Sequence, residues 1–267
     1  MTLRIRLRHL LPLVAIILVV AEPVPAQTPG ASWDRDTLYQ VSTIDALMAG
    51  VYDGSFTCGD LRRRGNLGLG TFQDLDGEMI VVDGVVYQAA HDGSVRVMDD
   101  DVRTPFAAVT WFEPDISFTV QSVSSLDELE QAIDARLPSK NLFHAFRIQG
   151  RFNSVQARSV PAQTKPYPPL AEAVKQQNVF DLGPAVGELV GFRCPVYAEK
   201  VNVVGYHLHY ISADRTTGGH LLDLAGGPFT VLVDETPSFL LQVPSSGPFQ
   251  ETDLSMDRTK ALEEVEK

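Results

Sequence analysis

A mixed α/β fold dominated by β-strands, with two sheet-containing halves and a few short helices, is predicted by three observations. Short apolar runs are cut at close intervals by Gly, Asp and Pro, the texture of strands and tight turns. Helical periodicity is confined to brief segments that carry their own capping residues. The stretch Lys165-Pro166-Tyr167-Pro168-Pro169 punctuates the chain and separates one set of strand-like runs from the next. The expected organisation is a signal peptide over residues 1–26, an N-terminal half over 27–164 and a C-terminal half over 165–267.

Taken in order, Arg4, Arg6 and Arg8 precede an apolar run from Leu10 to Ala21, and Val24-Pro25-Ala26 offers a small-residue cleavage site. That is the pattern of an export signal cleaved after Ala26. No other segment approaches the roughly 18 uninterrupted apolar residues that a second membrane span needs. The expected product is a chain exported to a periplasm or the medium, with no stable membrane insertion after cleavage. An uncleaved N-terminal anchor is the other reading of the same pattern.

Ser42-Thr43-Ile44-Asp45 opens a short helix that stops at Asp53-Gly54. Strand-like runs follow at Leu67–Phe72, Glu78–Val82 and Val85–Ala89, the last two joined by Asp83-Gly84, a hairpin signal. The glycines of Gly65–Gly70 lack the order of a phosphate-binding loop and read as strand punctuation. Ser125-Leu126-Asp127-Glu128 caps a helix whose apolar face continues to Leu137, before Pro138. Strands are expected again over 141–160 and 188–242, with helices at Leu170–Gln177 and Ser255–Glu266.

The chain carries 22 basic and 34 acidic side chains, a net charge of −12. Removing residues 1–26 takes away three Arg and one Glu, leaving 19 and 33, a net charge of −14. Such a surface repels phosphate backbones and excludes nucleic acid as a partner. The two cysteines, Cys58 and Cys194, follow no metal-binding spacing; export permits a bridge between them, and two buried thiols are the plainer expectation.

Of six histidines, three fall within fourteen residues. In Val201–Ile211 the residues Val204, Tyr206, Leu208 and Tyr210 share one strand face, and His207 and His209 share the other. Residues two apart on one face lie about 7 Å apart, close enough for both imidazoles to reach one ion. Asp214 and Gly218-Gly219 let the chain reverse and return His220 beside the pair. Three imidazoles leave one coordination position open, as in catalytic zinc sites. The bland alternative is a solvent-facing strand with an incidental third histidine. Glu78, alone at a turn, reads as a solvated residue, Arg158 as a surface cation, and the Glu263, Glu264 and Glu266 cluster as the wet face of a last helix.

Five blocks in order change that reading: Leu67–Phe72 with Leu75-Asp76-Gly77-Glu78, Ala157-Arg158-Ser159-Val160, Pro166–Leu170, Gly191-Phe192-Arg193, and Gly205–Ser212 followed by Gly218-Gly219-His220. Together they resemble the acetolactate decarboxylase family from about Leu38 to the C-terminus. The resemblance implies that family's fold, a zinc ion on His207, His209 and His220, and a polar active-site pair formed by Glu78 and Arg158. It also implies a glutamate near the chain end that folds back to the metal, placed on Glu266. The implied reaction is decarboxylation of (S)-2-acetolactate to (R)-acetoin and carbon dioxide through an enediolate held by zinc, and the implied assembly is a homodimer. Three histidines alone do not separate zinc from manganese, iron or cobalt. The same triad would serve a zinc hydrolase or a zinc-binding protein without turnover.

Overall fold

The computed structural model of the chain describes residues 35–266, so the expected signal peptide and its cleavage site lie outside the described residues. The described residues group as one compact unit. Its strands are, in order, β1 (Thr37–Val41), β2 (Phe56–Thr57), β3 (Leu67–Thr71), β4 (Glu78–Val82), β5 (Val85–Ala89), β6 (Val95–Val97), β7 (Arg103–Thr104) and β8 (Ala107–Thr110). They continue with β9 (Ile116–Val120), β10 (Phe143–Ser159), β11 (Asn178–Leu182), β12 (Ala185–Cys194), β13 (Gly205–Ser212), β14 (Gly218–Thr236) and β15 (Ser238–Gln242). Six short helices intervene: α1 (Ile44–Met48), α2 (Cys58–Arg62), α3 (Leu126–Asp134), α4 (Leu170–Ala173), α5 (Pro248–Glu251) and α6 (Thr259–Val265). Among the described residues no helix is long and apolar enough to cross a membrane.

The mixed, strand-dominated class is as expected. One sheet has seven strands in the order β15-β1-β8-β3-β4-β5-β6; a second has six, β11-β10-β12-β13-β14-β9, and closes on itself because β10 also pairs with β14, while β2 and β7 form a separate two-stranded ribbon. Closure buries one face of every long strand in a shared interior that includes Phe146, Phe152, Leu189, Leu208, Tyr210 and Phe229, stoppered by Leu129 and Ile133 of α3. The opposite faces supply Ala145, Val190, Phe192 and Ile211, which pack on Leu67, Leu69, Ile80 and Val82 of the seven-stranded sheet. Each fully buried Leu, Val or Phe in these layers contributes about 1.5–3 kcal/mol relative to exposure.

The two sheets do not divide at residue 165. The seven-stranded sheet takes its strands from residues 37–110 and adds β15, while the six-stranded sheet runs from β9 to β14. The proline stretch lies between β10 and β11, which pair with each other. Proline interrupts a strand by withholding a donor, and that local break does not mark the edge of a core. The final helical region also departs from expectation. Within the expected Ser255–Glu266 the helix is α6 alone, starting at Thr259, because the preceding residues satisfy their backbone with side chains, Asp253 accepting from the Ser255 N–H and Asp257 from the Thr259 N–H.

Cys58 and Cys194 are free and buried in separate apolar clusters, and burial pushes their thiols up to about 11 and about 12.

Candidate metal centre

The alternation along β13 decides which side chains meet. Leu208 and Tyr210 point into the closed sheet's interior, so His207 and His209 face the seven-stranded sheet. The turn after Ser212 reverses the chain: the Asp214 carboxylate accepts from the Ser212 hydroxyl at 2.7 Å and from the Thr216 hydroxyl at 2.8 Å. The resulting antiparallel register sets His220 opposite His209, and β10 sets Arg158 opposite His220. Arg158, His220 and His209 therefore form one row across three neighbouring strands. β12 pairs tightly alongside β13: a Cβ on Gly191 would lie 2.0 Å from the His207 carbonyl oxygen.

The three imidazoles are 8%, 1% and 3% exposed for His207, His209 and His220, which excludes the solvent-facing reading. Their ring centroids lie 5.0–5.3 Å apart, and one nitrogen from each falls within 4.8 Å of the others. Burial lowers the His207 pKa to about 3 and those of His209 and His220 well below the ordinary value, with Arg158 adding to the effect at each, so all three rings are neutral and keep a lone pair. His209 Nδ1 lies 2.8 Å from the Met79 carbonyl oxygen; as the N–H it donates there, leaving Nε2 as the free donor atom of that ring. No hydrogen-bond partner meets that buried Nε2. Three neutral, converging imidazoles with an orphaned inward nitrogen fit a transition-metal ion.

Strand β4 supplies two groups from the facing sheet. Met79 orients His209, and Glu78, 8% exposed, places Oε1 at 3.4 Å from Arg158 Nη1 and Oε2 at 3.7 Å from His209 Nε2. Glu266, immediately after α6, places Oε2 at 3.9 Å from His207 Nε2 and 3.8 Å from His220 Nε2. Because the rings are neutral, these close approaches are not ion pairs. Burial raises both carboxyls to about 7, against the lowering influence of Arg158. Arg158 Nη2 donates to the Val265 carbonyl at 3.2 Å, fastening the end of α6, while its buried Nε has no partner.

All six expected site residues are thus brought together. Glu263 and Glu264 are exposed, and Glu266 is the tail glutamate that reaches the histidines. Glu78, Arg158, His207, His220 and Glu266 line a cavity of about 40 Å³ whose remaining wall, including Ile44, Leu47, Leu75, Phe106, Val160 and Leu170, is largely apolar. Sequence reasoning missed that apolar wall and the Met79 carbonyl; alternation assigns side chains to faces and carries no signal for a main-chain oxygen that meets a histidine of the other sheet. A larger groove of about 740 Å³ lies outside and shares Ile44 and Glu266 with the inner cavity.

Fold and site define a two-sheet α/β protein with a buried three-histidine centre able to take a metal, flanked by two carboxyls and one guanidinium. The family profile of alpha-acetolactate decarboxylase matches residues 38–256, and the chain belongs to that family, which places it among the carboxy-lyases. It is 48% identical over 232 residues to the alpha-acetolactate decarboxylase of Methanosarcina mazei, covering 87% of this chain and 81% of the relative. The Methylococcus capsulatus alpha-acetolactate decarboxylase is 43% identical over 229 residues, covering 86% and 88%. The crystal structure of alpha-acetolactate decarboxylase from Bacillus subtilis strain 168 superposes with a TM-score of 0.84 at 39% identity, covering 86% of this chain and 99% of that one. Glu266 lies beyond the residues that the family profile matches.

Proposed function

We propose that this chain decarboxylates (S)-2-acetolactate to (R)-acetoin and carbon dioxide, with a zinc ion on His207, His209 and His220. The observation that carries the proposal is the convergence of three buried imidazoles, Arg158 and two carboxyls, those of Glu78 and Glu266, around one small cavity. When bound, zinc supplies a Lewis acid for the ketone and hydroxyl oxygens of the substrate, opposing the charge that develops as carbon dioxide departs.

The remaining work falls to the chain's own groups. Arg158 Nε is an unpartnered buried donor, suited to a charge-assisted hydrogen bond with the substrate carboxylate or hydroxyl that fixes which bond breaks. Glu78, held at about 7, carries a proton in a large fraction of molecules at neutral pH. Delivery of that proton from Glu78 to one face of the carbon that lost carbon dioxide yields a single enantiomer. Glu266 closes the cavity from the side of the outer groove and excludes water. Residues 1–26 export the chain, which acts as a homodimer.

The test is carbon dioxide and acetoin release from racemic 2-acetolactate by the purified mature chain, before and after chelation and zinc restoration. Activity that vanishes with chelator and returns with zinc is the expected result. A folded, zinc-loaded protein that releases no carbon dioxide, and instead cleaves esters or simply retains the metal, would overturn the proposal.

A further inference from the structure

The Pro166–Leu170 block takes no part in the chemistry above, yet its tyrosine reaches the loop that delivers Glu78. Between β3 and β4, Asp74 and Leu75 both adopt left-handed backbone conformations, with φ 64° and 60°. A residue as bulky as Leu seldom does so, and two in succession need external restraint. Asp74 is restrained at three points. Its N–H donates to the Tyr52 carbonyl at 2.9 Å, and its carbonyl accepts from the Gln163 N–H at 2.6 Å. Its carboxylate accepts from the Tyr167 hydroxyl. The phenol is seated in turn, with its ring centroid 5.2 Å from that of the fully buried Tyr52. With the pair held left-handed, Leu75 is 4% exposed and forms part of the inner cavity's wall. Two residues later the Gly77 N–H reaches the Val160 carbonyl at 3.1 Å, and Glu78 begins β4.

We propose that Tyr167 is a positioning residue: by holding Asp74 it keeps Leu75 against the reaction cavity and so limits the alkyl group that the substrate can carry. The inference rests on the decarboxylase reading for its substrate, and on geometry alone for the restraint itself. Tyr167 touches no reacting atom and acts through Leu75.

The experiment compares the mature, zinc-loaded chain with Y167F, D74A, D74N and the Y167F/D74A double variant. Three quantities are measured: kcat/KM for 2-acetolactate and for its homologue with ethyl in place of the methyl on the hydroxyl-bearing carbon, amide hydrogen exchange over residues 72–79, and thermal melting. Loosening the wall should raise the ethyl-to-methyl ratio of kcat/KM roughly three- to tenfold in Y167F and in D74A, with no further gain in the double variant. The side-chain amide that D74N introduces still accepts the phenol's hydrogen bond through its oxygen, so this variant should keep the native ratio. Exchange over 72–79 should accelerate in Y167F and stay native in D74N. An unchanged ratio with unchanged exchange in Y167F overturns the proposal, as does a lower melting temperature with the ratio intact. A wild-type chain that turns over neither acid sinks the decarboxylase reading, and the exchange rates then decide the restraint independently.

Discussion

Glu188 and Glu78 are buried to a similar degree, 4% and 8% exposed, on strands of the two packed sheets, and their surroundings are finished in opposite ways. Both oxygens of Glu188 are taken: Oε2 accepts from Arg147 Nε at 2.6 Å and Oε1 from Arg215 Nη2 at 2.5 Å. Arg147 also donates to Asp83 in the β4–β5 turn at 2.8 and 3.1 Å, tying that hairpin to the closed sheet. Glu78 has one long contact to Arg158 at 3.4 Å, and around it His209 Nε2, Arg158 Nε and Glu266 Oε2 are all buried without partners. A buried polar group left unpaired costs stability, so a structural cluster closes its bonds. Open bonds that converge on one cavity are the mark of a site awaiting a ligand.

The largest expected effect sharpens that contrast at the open cluster. H209A should lose stoichiometric metal and lower kcat/KM at least about a thousandfold, read by metal analysis and acetoin release, because two imidazoles remain where three are needed. E78Q should retain the metal and still lower kcat by roughly a hundred- to ten-thousandfold, since the amide has no acidic proton to give. Full turnover and native enantiomeric purity in E78Q would remove Glu78 from the proton-donor role.

Next in size is the closed cluster. E188A strands two guanidiniums that are only partly exposed, at 20% and 26% for the side chains of Arg147 and Arg215, so the penalty of breaking a buried pair is moderated by water to about 2–3 kcal/mol. The melting temperature should fall by roughly 4–12 °C while the folded enzyme keeps its kcat. A variant with native melting but lost activity would break the distinction between the two clusters.

The last effect, confined to a pH window, concerns Asp234, 1% exposed, whose carboxyl burial raises to about 7, with Asp115, Asp36 and Glu113 adding to the rise. Its native pKa lies above the unfolded value, so the neutral form is favoured in the fold and that stability is lost as pH rises through about 7. D234N should therefore melt close to wild type at acid pH and higher than wild type at pH 8, read by calorimetry at both pH values. Equal melting shifts at both pH values would show that the carboxyl is not held neutral.

Legibility of the site tracked sequence distance. His207 and His209 were readable because strand alternation places them on one face, and His220 because a five-residue turn separates its strand from theirs. Glu78 and Arg158 looked like a turn residue and a surface cation when read alone. Only resemblance to a family singled them out, since they come from different sheets and meet across 80 residues of chain. The tail Glu263-Glu264-Val265-Glu266 carries three glutamates, and the fold exposes the first two and turns the third toward the histidines.

By itself the sequence determined the strand-rich class, the faces of β13 and the hairpin of β4 with β5, because alternation and turn chemistry are written in adjacent residues. Tertiary structure alone decided that β10 closes onto β14, that the sheets change over between Thr110 and Ile116, and that Cys58 and Cys194 stay apart. Those outcomes depend on which distant segments pair and which faces bury each other, a competition among whole strands that no local pattern records.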